Sequence, residues 1–222
     1  MMKALITRGG WVGHEPVETS EVFRDILVKE NFDVEIVETL DCFLDAEALK
    51  SYDLVVPIWT MSEITKEQTD GILAAVESGV GIAGNHGGMC DAFRQDVRWQ
   101  FMTGGQWVAH PGNAGVTYEI NIKKNVPSFI VNGINDFKIT SEQYYVHTDP
   151  ANCVLATTRF PVYGGPHAAN GSADVPVVWT RLWGKGRVFY NSLGHHADAF
   201  DIPEARELMR RGFLWATRGS KV

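Results

Sequence analysis

Cysteine is scarce in this chain, and the three present, Cys42, Cys90 and Cys153, are irregularly spaced. An odd count without a CxxC pair excludes a disulfide framework and a thiolate zinc knot, and it suits a reducing compartment. Basic runs are also missing. Lys and Arg number 20 against 27 Asp and Glu, a net charge of −7. With no cationic stripe, a nucleic-acid or anionic-membrane surface is disfavoured. No apolar run approaches the roughly 18 residues a membrane helix needs. The opening "MMKALITRGG" has too short an apolar stretch to read as a signal peptide. Repeats and low-complexity segments are absent. These gaps leave a cytoplasmic protein with a small-molecule partner, touching neither nucleic acid nor membrane.

What is present is a core-forming chain of 222 residues, 45% of them hydrophobic. That length suits one α/β domain over residues 1–222. "KALIT" (3–7) has strand composition, and a polar loop is expected from Arg8 to Glu15. The period then changes, with Val17, Phe23, Ile26 and Leu27 on one face of a helix opening at Pro16. "FDVEIVE" alternates as a strand, "DAEALKSY" suits a short helix, and "YDLVVPIW" is a buried strand. Thr65 to Ser78 reads as an N-capped helix, and "GVGIAG" as a third buried strand. Alternation of this kind predicts a parallel sheet with helices on both faces.

The second half is strand-rich. "GVTYEINI", "FKIT", "CVLATT" and "VPVVWTRL" are strand-like, and "WGKG" turns into "RVFYNSL" as a hairpin. Pro203 to Thr217 closes the chain as a helix. The stretches 103–115 and 162–174 read as loops, which places His110 and His167 on the surface or in a lid. The expectation is a mostly parallel α/β sheet with an antiparallel extension at one edge.

"GIAGNHGGMC" (81–90) is the most informative segment. A strand entering a glycine-rich corner and leaving into a helix presents its tip residue at the carboxyl edge of the sheet, where open α/β sheets bind ligands. Here the tip is His86. A plain helix-capping role and a role in chemistry both remain open for it. Cys90, four residues on, reads either as an inert buried thiol or as a displaced nucleophile.

Four motifs, in order, resemble those of the ThuA-like (trehalose-utilisation) family: "ALITRGGWVGHE" with His14, "GNHGG" with His86, "FKITSEQYY" with Glu142 and Tyr144, and "PVVWTR" followed by "GKGRVFYNSLGHH". The resemblance spans nearly the whole chain. It implies the flavodoxin-like, doubly wound fold of class I glutamine amidotransferases, with a pocket at the sheet's carboxyl edge. It also implies an enzyme of carbohydrate catabolism acting on a small sugar, keto-sugar or disaccharide derivative. Glutaminase chemistry is not expected, because imidazole occupies the thiolate's place.

Five of the seven histidines stand at strand ends or motif positions. His86, Glu142, His14 and His195 are the candidate catalytic groups, with Glu142 placed beside aromatic residues that would raise its pKa. Of the adjacent pair, "LGH" favours His195 for the pocket over His196. Trp11, Arg8, Trp59, Asn85, Gly87, Tyr144, His147 and His196 are candidates for substrate contact, the tryptophans by stacking on sugar C–H groups. Imidazoles near neutral pH serve as proton carriers. His14, His86, His147 and His195 equally suit a divalent metal, zinc foremost, provided the fold brings them together. No nucleotide cofactor is expected. A non-catalytic saccharide-binding or regulatory module on the same scaffold is the alternative. A tryptophan-rich face would suit a homodimer.

Overall fold

The structure, a computed structural model, describes residues 1–222. The first half alternates as expected. Strand β1 (Met2–Gly10) leads to helix α1 (Pro16–Lys29), β2 (Phe32–Val37), α2 (Ala46–Leu49), β3 (Leu54–Thr60), α3 (Lys66–Ser78), β4 (Gly81–Asn85) and the short α4 (His86–Cys90). Then come α5 (Val97–Thr103), β5 (Gly105–Ala109), β6 (Val116–Ile122), β7 (Phe137–Ser141) and β8 (Tyr145–Thr148). The chain ends with β9 (Cys153–Phe160), β10 (Ala173–Trp183), β11 (Gly186–Asn191) and α6 (Pro203–Ala216).

Nine strands form one mixed sheet in the order β2-β1-β3-β4-β11-β10-β9-β6-β7. The run β2-β1-β3-β4-β11 is parallel, and β10, β9, β6 and β7 extend it antiparallel. Alternation along β1 explains the layering. Ala4 and Ile6 pack on one face with Phe23 and Leu27 of α1 and Phe213 of α6. Leu5 points to the other face, with Ile72 and Val76 of α3 and Trp99 of α5. A strand buried on both sides must be apolar at every position, which is why "KALIT" reads as a run and not as an alternation. The fold is α/β and doubly wound, parallel at its core.

Helix starts follow local chemistry. Pro16 occupies the first turn of α1. At α3, the Thr65 hydroxyl accepts from the Gln68 N–H (3.2 Å) while the Gln68 side chain accepts from the Thr65 N–H (3.0 Å), a reciprocal cap.

Three expectations need correction. Residues 8–10 are strand, not loop: Arg8, Gly9 and Gly10 pair with Ile58, Trp59 and Thr60 of β3. The 103–115 stretch contains β5, which pairs antiparallel with β8 in a separate two-stranded sheet. A five-residue strand whose partner lies some forty positions on leaves no local hairpin signal. The 162–174 stretch carries a 3-10 turn (Pro166–Asn170), and β10 begins inside it at Ala173.

Candidate active site

The corner at His86 is built as its glycines suggest. His86 has φ +45°, a left-handed conformation costly for a residue with a side chain. The Tyr190 hydroxyl donates to its carbonyl at 3.0 Å and helps hold it there. Gly87 has no room for a Cβ, which would lie 2.6 Å from the His14 ring and 2.7 Å from Thr60. His14 can therefore lie flush on the corner, and its ring centroid is 4.7 Å from that of His86.

Four side chains converge. His14 comes from the β1–α1 loop, His86 from the corner after β4, His195 from the loop after β11, and Glu142 from the turn after β7. All four are buried, and one donor atom from each lies within 4.8 Å of all the others. Glu142 Oε2 is the centre: His86 Nε2 is at 3.1 Å, His195 Nδ1 at 3.2 Å and His14 Nε2 at 4.0 Å. The ring of Tyr144 stacks on His86 at 4.0 Å.

Proton accounting gives this cluster its character. His86 Nδ1 lies 2.8 Å from the Ser192 carbonyl. A carbonyl only accepts, so Nδ1 carries a hydrogen and, in the neutral ring, Nε2 presents a lone pair. That lone pair faces a carboxylate oxygen. His195 Nδ1, also buried, has no hydrogen-bond partner despite its closeness to Glu142. Burial pushes the His86 pKa down against the pull of Glu142. Burial, with the neighbouring His86 and His195, takes His14 down to about 2. Burial thus favours the neutral rings of His14 and His86, which turn toward the Glu142 carboxylate.

Glu142 departs from expectation. Its burial alone would raise the carboxyl, but contacts with His195 and His86 outweigh that and hold it well below the usual carboxylate range. The aromatic neighbours do not raise it: Tyr144 stacks on His86, and Tyr145 packs on Phe160 at 4.9 Å. The imidazoles around it, and not the aromatic rings, set the direction of its shift.

Above the cluster lies a cavity of about 380 Å³ whose walls include Trp11, Met61, Asp91, Arg94, Trp107, His110 and Asn113. Arg94 donates to both oxygens of buried Asp91, at 2.5 and 2.9 Å, and its guanidinium lies 4.4 Å over the Trp107 ring. His110 Nδ1 lies 3.6 Å from Glu142 Oε1.

The remaining sequence candidates divide. Trp11 stands at the mouth, its ring 4.8 Å from His14. Asn85 is buried behind the corner and donates to the Leu193 carbonyl at 3.2 Å, which steadies the His195 loop. His195 turns inward, and His196 turns outward to Glu15, 3.0 Å away. Besides His196, three candidates do not reach the pocket. Arg8 pairs with Glu38 at 2.7 Å. Trp59 packs under Gly9, where a Cβ would meet its ring at 2.7 Å. His147 is exposed on β8, on the opposite side of that strand from buried Val146. It cannot join the metal set without reversing the strand's alternation.

Sequence reasoning missed Asp91, Arg94 and Trp107, and it set His110 aside. Asp91 and Arg94 lie just past the corner, but a lone acid and a lone arginine there carry no local pattern. Only the β5–β8 pairing brings Trp107 and His110 over the cluster. Cys90 is settled by burial: it is 1% exposed and its thiol is pushed well above the ordinary range. That is the opposite of an activated nucleophile, so the displaced-nucleophile reading fails.

The chain matches the family described as ThuA, trehalose utilisation, over residues 3–216, and it belongs to that family. Among solved structures, it is similar to a ThuA-like protein from Bacteroides uniformis (20% identity, TM-score 0.78, covering 99% of this chain and 93% of that one). A ThuA-like protein from Parabacteroides merdae is also similar (21% identity, TM-score 0.73, 100% and 92% covered). So is a cytoplasmic protein from Salmonella typhimurium LT2 (13%, TM-score 0.71, 98% and 100%). At these identities the likeness shows the fold. No curated protein matches the chain's sequence. No helix is long and apolar enough to cross a membrane.

Proposed function

From membership of the trehalose-utilisation family and the chemistry of the buried cluster, we propose that this chain is an enzyme of carbohydrate utilisation. It acts on a small sugar or keto-sugar derivative with the help of one divalent metal ion. His14, His86, His195 and Glu142 would hold the ion. The observation that carries this reading is the convergence of their donor atoms, with a lone-pair nitrogen of His86 facing an ionised carboxylate. Three imidazoles and one carboxylate match zinc's donor preference. When bound, such an ion supplies a Lewis acid for a carbonyl or hydroxyl oxygen, or lowers the pKa of water.

The chain's own residues supply the rest. Ser192 fixes the tautomer of His86 by accepting from Nδ1, and Thr60 Oγ1 fixes the ring of His14 at 3.0 Å from its Nδ1. Trp11 and Trp107 present aromatic faces to sugar C–H groups. The Asp91–Arg94 pair supplies a hydroxyl acceptor and donors without net charge, which suits an uncharged polyol. His110, 27% exposed in its side chain, is placed to pass protons between a bound hydroxyl and solvent.

The test is elemental analysis of protein purified without chelator or nickel affinity resin, followed by turnover assays on a panel of sugars and keto-sugars. Near-stoichiometric zinc, manganese or iron, with turnover abolished by chelation, is expected. Metal-free protein that retains turnover would move the chemistry to His86 and Glu142 as an acid–base pair. Saccharide affinity without turnover would make it a binding module.

A further inference from the structure

We infer that Glu15 is a positioning residue that locks the two histidine-bearing loops, His14's and His195's, into one register. The inference rests on the metal-site reading for its consequence but not for its geometry. Glu15 directly follows His14 and sits in the left-handed region at φ +47°, ψ +55°, where a glycine would be free of strain. As the residue capping α1 it makes no side-chain hydrogen bond to its own helix. Its carboxylate turns instead to the loop after β11, 182 residues away in sequence, where Oε2 accepts from the Ala197 N–H at 2.9 Å. Oε1 lies 3.0 Å from His196 Nδ1.

One carboxylate thus holds the Ala197 N–H, two residues past His195, while its own backbone holds His14. The two rings meet edge-on, centroids 5.1 Å apart. His195 points into the cluster and His196 away from it; the loop is held through the Ala197 N–H, since His196 Nδ1 makes no hydrogen bond. A side-chain contact this exposed, with Glu15 and His196 37% and 44% accessible, contributes little to stability, and the left-handed backbone opposes folding. What the arrangement supplies is orientation. Outer residues of this kind typically change metal affinity by about 10–100-fold.

The experiment compares wild type, Glu15→Gly and Glu15→Gln. Three quantities are read: the melting temperature, Co²⁺ affinity from its visible spectrum, and the imidazole ¹⁵N–¹H spectrum of metal-free protein. Glu15→Gly relieves backbone strain while removing the carboxylate. It should melt no lower than wild type, yet bind Co²⁺ about tenfold or more weakly. Its His14 and His195 ring signals should shift or broaden without any metal. Glu15→Gln keeps an acceptor for Ala197 and should lose less. Wild-type Co²⁺ affinity and unchanged ring signals in Glu15→Gly would overturn the inference. Should that variant not fold, Glu15→Gln carries the same readouts without a backbone change. If wild type takes up no Co²⁺, the metal reading fails, and the metal-free ring signals still decide the role of Glu15.

Discussion

The parallel half of the sheet delivers three histidines to the cluster, and the antiparallel half delivers one carboxylate. In the parallel half, His14, His86 and His195 follow β1, β4 and β11 at a common carboxyl edge. Each position follows from the strand–loop–helix grammar, because every parallel strand must end on the same side. In the antiparallel half no such rule operates. Glu142 is brought in by a turn whose residues are individually pinned: Tyr118 Oη donates to the Glu142 carbonyl at 2.9 Å, and Gln143 donates to Thr158 Oγ1 at 2.8 Å. One half places its groups by topology and the other by specific polar contacts. The site therefore sits at a seam, and the contribution of the antiparallel half is the one a single substitution can remove.

Glu142→Gln tests that contrast most severely. It keeps shape but removes the only charge at the centre, leaving buried lone pairs unmatched. Metal content should fall to near zero and any sugar turnover by about 10²-fold or more, measured by elemental analysis and assay. Retention of metal by this variant would show that the parallel half suffices alone.

The pH dependence of folding is next. In metal-free protein, His14 has its folded pKa lowered from 6.5 to about 2. The unfolded chain then binds the proton first, so stability is whole above about pH 6.5 and declines as pH falls below it. Glu142, held below its ordinary 4.5, adds a second loss as pH drops past that value. Melting temperatures from pH 8 to pH 5 should fall in wild type and less steeply in His14→Gln, where His86, also held low by burial, still contributes. A flat wild-type profile would mean that His14 is not held neutral.

Gly87→Ala probes the parallel half from beneath. A Cβ placed 2.6 Å from the His14 ring must push that ring or the corner. Overpacking of this kind costs about 1–3 kcal/mol, or roughly 2–12 °C of melting temperature at this size. Calorimetry would register it.

The smallest effects sharpen the boundary of the site. Under native conditions a thiol reagent should modify exposed Cys153 and leave buried Cys90 untouched, as mass spectrometry of the labelled protein would show. His147→Ala and Arg8→Ala should leave metal content unchanged. Arg8 pairs with Glu38 and Glu21 and donates to Ser20 Oγ at 3.0 Å, all away from the cluster.

Much of this was legible in the residues. The alternation of apolar runs with capped helices determined the α/β layering, since a run such as "KALIT" can only be buried on both faces. The glycine-rich corner determined that His86 stands at the carboxyl edge of the sheet, because only such a turn can be that tight. The motif order pointed to Glu142, His14 and His195. Tertiary structure alone decided the rest. The direction of the Glu142 pKa depends on which groups surround it in space, and "SEQYY" shows only its neighbours in sequence. Which of His195 and His196 points inward depends on a loop held by Glu15, distant in sequence, and that His147 does not point inward follows from the register of β8. Trp107 and His110 reach the site only because β5 pairs with β8. Local pattern specifies elements because backbone hydrogen bonding and burial have short periods. Convergence of four side chains depends on long-range packing, which no short window of residues contains.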